Sequence, residues 1–467
     1  MGVHAAASLF VLPQLWLAGT ASADVPPLQF PLGEMVEGIA CASDPTQTYT
    51  LYVPSVSASS NGRWPVLLIF DPRGRSRLAA EIFREAAETY GWIIVSSDNT
   101  RSDGPMEPNI IALQALWPEI HNRLPADINR IYAAGFSGGA IVATALSKAT
   151  GGVAGIIACG GRFFPEHLEN NDVPIFATAG TLDFNFREMH LLDEFLAEQG
   201  NPHRLVIFEG THSWMPPAVA FDAVAWLELV AMQRGLRAKD PEMVSGRFAA
   251  DMAEAQAYAD AGDAVDAARR YREIDLTYRG LTDSTAAQDR AAVIEATVEY
   301  RDQVKAIKRM RAFERHCNED INNGLVRLRE SDYPPLVAQL AREFRIDELQ
   351  HRAERPDAMG QAAQRCLNGL LTGVAFYIPR DTAAEHRYAH AATAYEVALM
   401  IREDNPVVWY NLACMRARLG HGDAAMEALQ RALDLGFDQT ALLASDADLD
   451  SLRERDDFKT MLAALAE

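Results

Sequence analysis

The chain has 467 residues, long for one domain and comfortable for two, each with room for its own core. Hydrophobic residues make up 49% and charged residues 23%, an ordinary globular composition. The formal net charge is −21, from 64 acidic against 43 basic residues, which argues against a nucleic-acid partner because phosphates would be repelled.

The N-terminus reads as a targeting segment. Ala5 to Ala18 is mostly apolar, too short and too interrupted by Pro13 and Gln14 to span a membrane. It ends in Ala21-Ser22-Ala23 before Asp24, the small-x-small pattern of a signal-peptidase site, so residues 1–23 are expected to be a signal peptide and the protein periplasmic or secreted. No later stretch is long and apolar enough to predict a transmembrane helix. Five cysteines (Cys41, Cys159, Cys317, Cys366, Cys414) are too few for a disulfide scaffold and show no metal-ligand spacing. In an exported chain Cys317 with Cys366 is the expected pair, since both lie in the helical half; otherwise the five are buried thiols.

From Asp24 to Leu236 short apolar runs alternate with segments of helical spacing. Gln47 to Pro54 alternates as a strand, and Val66 to Phe70 is apolar throughout, as a strand covered on both faces must be. Leu78 to Tyr90 is helical, Trp92 to Val95 a strand, Asn109 to Leu124 helical, and Ile131 to Ala134 a strand. Ala140 to Lys148 is helical, followed by apolar runs at Val153 to Cys159, Ile175 to Ala179 and Leu205 to Phe208. Helices fit at Glu188 to Gln199 and Val219 to Met232. This alternation predicts an α/β fold with a mostly parallel, doubly wound sheet.

From 237 to 467 no strand is predicted, only Ala-, Arg- and Glu-rich helices, read as a second, all-α domain. Two stretches resemble the tetratricopeptide pattern of small and large residues over 34 positions. Counting from Pro406, Trp409, Leu412, Ala413, Ala425, Leu429 and Ala432 fall in register; counting from Phe248, Ala255, Tyr258, Ala267 and Tyr271 do. Small residues at the crossing let antiparallel helices approach closely. Such an array offers a face to a protein partner or packs on its neighbour, and the sequence leaves both open.

Chemistry concentrates in Gly135-Phe136-Ser137-Gly138-Gly139, which joins a strand to a helix. A serine hydroxyl is a poor nucleophile and must be exposed beside a base and beside donors for an oxyanion. The sharp turn meets this need, and glycines two before and two after relieve its crowding. An acid is expected on a loop after a later strand, and Ile175 to Asp183 ends in one, Asp183. Asp172 precedes that strand and Asp193 lies within a helix, so neither is expected to orient a histidine. After the last strand comes His212; His203 and His190 are expected on the surface. The order Ser137, Asp183, His212, each after its own strand, predicts a catalytic triad. No motif indicates a cofactor or metal.

On these residues, 24 to about 235 resemble an α/β-hydrolase, most similar to the polyhydroxybutyrate-depolymerase and feruloyl-esterase-like group, with dienelactone hydrolases and prolyl oligopeptidases close behind. The resemblance implies Ser137 as nucleophile, His212 as general acid and base, and Asp183 as its orienting carboxylate. It implies one oxyanion donor in the Gly138 backbone N–H. The second normally comes from a His-Gly-x loop after the third strand; here that loop reads Phe70-Asp71-Pro72-Arg73-Gly74-Arg75, which puts Arg73 at the donor position with Gly74 as fallback. Arg73, Arg75 and Arg77 are either a solvated basic loop or a site for an acidic substrate group. About a dozen residues separate the sixth and seventh strands, too few for a cap, so an open site for a small or polymer-end ester is expected. Phe163, Phe184 and Trp214, with Phe164, Phe186 and Met215, flank the triad as candidate pocket residues. The leading expectation is a serine carboxylesterase. A prolyl-oligopeptidase-like peptidase and a partner-binding protein with a degenerate hydrolase half are the alternatives; no propeller precedes the hydrolase half, which counts against the first.

Overall fold

The computed structural model describes residues 29–56, 62–102, 104–169 and 171–465. The expected signal peptide lies outside them. The first described elements are β1 (Met35–Ala40), β2 (Thr48–Tyr52), β3 (Trp64–Phe70), α1 (Ser76–Tyr90), β4 (Ile93–Ser97), α2 (Glu107–Asn122), β5 (Ala126–Phe136), α3 (Gly138–Thr150) and β6 (Gly155–Cys159). Then follow α4 (Pro165–Leu168), β7 (Ile175–Gly180), α5 (Phe186–Gln199), β8 (His203–Phe208), α6 (Pro217–Gln233), α7 (Pro241–Asp260), α8 (Ala264–Tyr278), α9 (Thr285–Glu295) and α10 (Val298–Glu330).

The eight strands form one sheet in the order β1-β2-β4-β3-β5-β6-β7-β8. β1 and β2 are antiparallel, β2 runs antiparallel to β4, and the remaining pairs are parallel. This is the mostly parallel, doubly wound sheet that the alternation predicts, with helices on both faces. The period of two explains its apolar strands: Val66, Leu68 and Phe70 of β3 face one helix layer, while Leu67 and Ile69 face the other. The first layer holds Leu113 and Leu116 of α2, Val142 and Leu146 of α3, and Leu192 of α5. The second holds Phe83 of α1 and Val224 and Leu227 of α6. Each of these side chains, moved out of water, contributes about 1.5–3 kcal/mol. β1 is absent from the sequence reading. Its register shifts between Val36 and Ile39, and Gly38 has φ +65°, so no clean alternation survives in the sequence.

The change of composition near 237 marks the end of the strands, but the first compact unit runs on to Ile307, inside α10. Long-range polar contacts hold α7 and α8 to the sheet. β8 is an edge strand, and side chains of α8 satisfy its backbone: Leu205 N–H donates to Glu273 Oε1 at 3.1 Å, and Arg269 Nη1 donates to the Leu205 carbonyl at 2.9 Å. Arg204 of β8 reaches Asp251 and Glu254 of α7 at 3.3 and 2.8 Å.

The second compact unit, from Lys308, is helical throughout its described residues. Its helices Pro406–Arg418 and Gly422–Asp434 pack as a hairpin, with Ala413 and Ala425 fully buried where small residues are required. Asn405 caps the first, its side chain accepting from Val407 and Val408 N–H at 3.1 and 3.3 Å, with Pro406 in the first helical turn. All five cysteines are buried free thiols, with Cys317 and Cys366 both in this unit's core. No described helix is long and apolar enough to cross a membrane.

Candidate active site

β5 ends at Phe136 and α3 begins at Gly138, which leaves Ser137 alone at the apex with φ 54° and ψ −120°. A non-glycine residue with positive φ costs about 1–3 kcal/mol and persists only where the surroundings enforce it. They do so here. A Cβ on Gly135 would lie 2.1 Å from the Gly139 carbonyl, and one on Gly139 would lie 1.9 Å from the Phe70 carbonyl. Both positions must be glycine for β5 to turn into α3 against the end of β3. The Ser137 amide donates to the Cys159 carbonyl at 2.8 Å, which ties the apex to β6.

The structure brings the three sequence-derived residues together. His212 Nε2 lies 2.9 Å from Ser137 Oγ, and His212 Nδ1 lies 2.9 Å from Asp183 Oδ1. Asp183 is fully buried and also accepts from Asn185 N–H at 2.7 Å. A carboxylate so placed keeps the proton on Nδ1 and turns the Nε2 lone pair toward the serine. The imidazole lies between two rings, Phe184 at 4.1 Å and Phe136 at 4.6 Å between centroids.

Gly160 was not singled out in the sequence, yet it closes the far side of the triad. It has φ +52°, and a Cβ there would lie 2.5 Å from Asp183 Oδ2 and 3.4 Å from His212 Nδ1. Its carbonyl accepts from Asn185 Nδ2 at 2.8 Å. The Gly160-Gly161 pair immediately after β6 is the signal that could have marked it.

Asp71 is a second missed residue. Its buried carboxylate accepts from Arg73 N–H (2.9 Å), Arg75 N–H (3.2 Å), Arg75 Nε (3.0 Å), Arg75 Nη2 (2.9 Å) and Trp214 Nε1 (2.8 Å). Burial alone would push this carboxyl up, but the bonds from Arg75, Trp214 and the Arg73 amide together hold it below the usual carboxylate range. Arg75 is thus taken by Asp71, and Arg77 pairs with Glu37. The Arg73 amide, the sequence-derived oxyanion donor, is directed at Asp71, and the Gly74 amide donates to the Asp71 carbonyl at 3.2 Å.

The candidate pocket residues separate. Phe163 packs on Phe195 and lines a narrow apolar crevice with Ala140, Gly161, Phe164 and Met189. Phe184 instead stacks on His212. Trp214 is buried, edge-on to Phe83, with its indole N–H on Asp71. Met215 is buried in the core beside it, and Phe186 packs on His190.

Two other sequence expectations are corrected. His203 is buried at the start of β8, and Asp193, within α5, does face a histidine: its Oδ1 lies 3.4 Å from His203 Nε2. Together with Glu273 these form the group of described residues whose donor atoms come within 4.8 Å of one another, as metal ligands do. Glu273, however, already accepts from Arg269, Arg270 and the Leu205 amide, so the cluster's negative charge is matched by cations of the chain itself.

A family described as phospholipase/carboxylesterase matches residues 112–223, the segment from α2 through the elbow, Asp183 and His212. Similar solved structures include the fluorophosphonate-binding serine hydrolase FphF of Staphylococcus aureus (12% identity, 42% of this chain and 99% of that one, TM-score 0.36). An esterase of Pyrobaculum calidifontis (14%, 44% and 87%, 0.34) and a ferulic acid esterase (15%, 42% and 98%, 0.34) are also similar. Among curated proteins, a chloroplastic protein of Arabidopsis thaliana is 32% identical over 84 residues, 17% of this chain, which spans 25% of that protein's length.

Proposed function

We propose that this chain is a serine hydrolase that cleaves carboxylic esters through an acyl-enzyme. The observation that carries the reading is the continuous relay from Asp183 through His212 to Ser137, with both links at 2.9 Å. As Ser137 Oγ attacks the ester carbonyl, His212 Nε2 takes its proton, and Asp183 stabilises the imidazolium that forms. The carbonyl oxygen becomes an oxyanion beside the Gly138 N–H, where the N-terminus of α3 adds its positive dipole end. On collapse, the ester C–O bond breaks and the departing alkoxide receives the proton from Nε2. A water deprotonated by the same nitrogen then releases the acid and restores Ser137.

The family match over residues 112–223 supports ester rather than amide chemistry. Among the described residues, only the four-residue helix α4 interrupts the connection between β6 and β7, which supports an open site for a small or polymer-end ester. The helical hairpins at Phe248 and Pro406 support a tetratricopeptide-like role in partner binding or packing, and the Ala21-Ser22-Ala23 segment supports export. The test is a panel of aryl esters, thioesters and prolyl amides offered to the wild type and to Ser137→Ala. Ester turnover confined to the wild type is expected; turnover retained in the variant, or amides cleaved with esters inert, contradicts it.

A further inference from the structure

An oxyanion needs more than one donor, and the serine-hydrolase reading, on which this inference rests, has so far supplied only the Gly138 amide. The loop that normally provides the second is folded in on itself. Arg73 and Arg75 N–H both donate to Asp71 Oδ1, at 2.9 and 3.2 Å, and Gly74 N–H donates to the Asp71 carbonyl at 3.2 Å. All three amide protons lie on Asp71.

Another group approaches the same place from the next loop. Ser102 follows β4, which neighbours β3 in the sheet. A Cβ built on Gly138 would lie 1.9 Å from Ser102 Cβ and 2.8 Å from Ser102 Oγ. The CH₂OH of Ser102 therefore occupies the space that a side chain at 138 would fill, against the residue whose amide is the first oxyanion donor. This is why position 138, in an ordinary helical start, carries glycine.

The loop that delivers Ser102 is fastened to both neighbours. Ser102 N–H donates to the Pro72 carbonyl at 3.1 Å, and Thr100 Oγ1 donates to the Asp71 carbonyl at 3.0 Å. Buried Asn109 of α2 clamps the preceding residue, its Oδ1 accepting from Arg101 N–H at 2.8 Å and its Nδ2 donating to the Arg101 carbonyl at 2.7 Å. A loop fastened this way carries the Ser102 side chain to the Gly138 backbone before any substrate arrives.

We propose that the Ser102 hydroxyl is the second oxyanion donor, in place of the Arg73 amide. In the attack step the Ser137 Oγ–C bond forms and the carbonyl π pair moves onto oxygen, which accepts from Gly138 N–H and Ser102 O–H. In collapse that pair returns to carbon as the C–O bond to the alcohol breaks. Ser102 keeps its proton throughout, so its contribution falls on the transition state and not on substrate binding. The substitution Asp71-Pro72 at the head of the loop and Ser102 above Gly138 are then two halves of one change: the carboxylate that withdraws the loop amides leaves the oxyanion to a side chain.

The test compares Ser102→Ala and Ser102→Cys with the wild type on a p-nitrophenyl ester, with labelling of Ser137 by a fluorophosphonate followed in parallel. Removing one such donor lowers kcat by roughly 10²–10³-fold. The expected result is a loss of this order with KM within about twofold, a matching loss of affinity for an arylboronic acid that adds to Ser137, and an unchanged melting temperature. Ser102→Cys keeps the shape but weakens the donor, so it follows Ser102→Ala even where the smaller side chain loosens the loop. A Ser102→Ala enzyme with kcat within twofold of wild type and Ser137 still labelled overturns this inference alone. A folded wild type that neither labels nor turns over any ester overturns the serine-hydrolase reading beneath it.

Discussion

Two histidine–carboxylate pairs bracket β8, one at each end of the strand. At its start, His203 faces Asp193; beyond its end, His212 faces Asp183. Both carboxylates are buried, and both histidines lie within reach of one. What separates them is the second ring nitrogen. His203 Nδ1 donates to the Asn201 carbonyl at 2.7 Å, a local turn contact, and its side chain is 4% exposed. His212 spends its Nδ1 on the carboxylate and keeps Nε2 for Ser137, with 20% of its side chain open to solvent. A parallel sheet explains the asymmetry, since its C-terminal edge is where loops gather and ligands bind. The same chemical pair reaches a serine hydroxyl at one edge and a turn carbonyl at the other.

The comparison breaks most sharply at the relay. His212→Ala or Ser137→Ala should lower kcat by about 10⁶-fold, the loss expected when one member of a cooperating triad goes, with the melting temperature nearly unchanged. Asp183→Asn should cost about 10⁴-fold, because an amide no longer holds the proton on Nδ1. Gly160→Ala should cost about 10²-fold in kcat by displacing the Asp183 carboxylate, with roughly 1–3 kcal/mol of stability lost to the positive φ, read by steady-state kinetics and urea unfolding.

The other pair should respond in the opposite way. His203→Ala should leave kcat intact while costing about 1–3 kcal/mol in urea unfolding, because it strands buried polar partners. A finer distinction comes from pH. Burial pushes the Asp193 carboxyl up to about 6, against the pull of Arg269 and His203, from an ordinary 3.8. A carboxyl raised in the folded chain contributes stability below its unfolded value and loses that contribution as pH rises through the folded one. The wild type should therefore lose melting temperature relative to Asp193→Asn between about pH 4 and pH 7. A wild type that gains on the variant over that window would assign the carboxylate a stabilising ion pair instead.

The relay and the sheet were legible in the sequence because both rest on local patterns. Runs such as Val66 to Phe70 have no polar face to offer solvent, and the glycines at 135 and 139 leave the apex serine one backbone solution. The rest depends on side chains that meet only after folding. Asp193 and His203 sit in unremarkable helical and pre-strand contexts, and nothing local shows that α8 will bury them with Arg269 and Glu273. Glu273 and Arg269 likewise bind the β8 backbone from more than sixty residues away, so α7 and α8 read as a new domain although they complete the first. Phe184 and Trp214 were expected along a pocket wall; whether an aromatic side chain faces substrate, stacks on His212 or donates to Asp71 is set by rotamer and neighbours, which spacing does not encode.

The central claim is that the reacting group is Ser137, activated by His212 and not by any other histidine. It is tested most directly by incubating wild type, His203→Ala and His212→Ala with a fluorophosphonate and mapping the adduct by peptide mass. One adduct on Ser137, formed at equal rates in wild type and His203→Ala and slowed by orders of magnitude in His212→Ala, is the predicted result. An adduct on another residue, or labelling that survives His212→Ala at the wild-type rate, would contradict it.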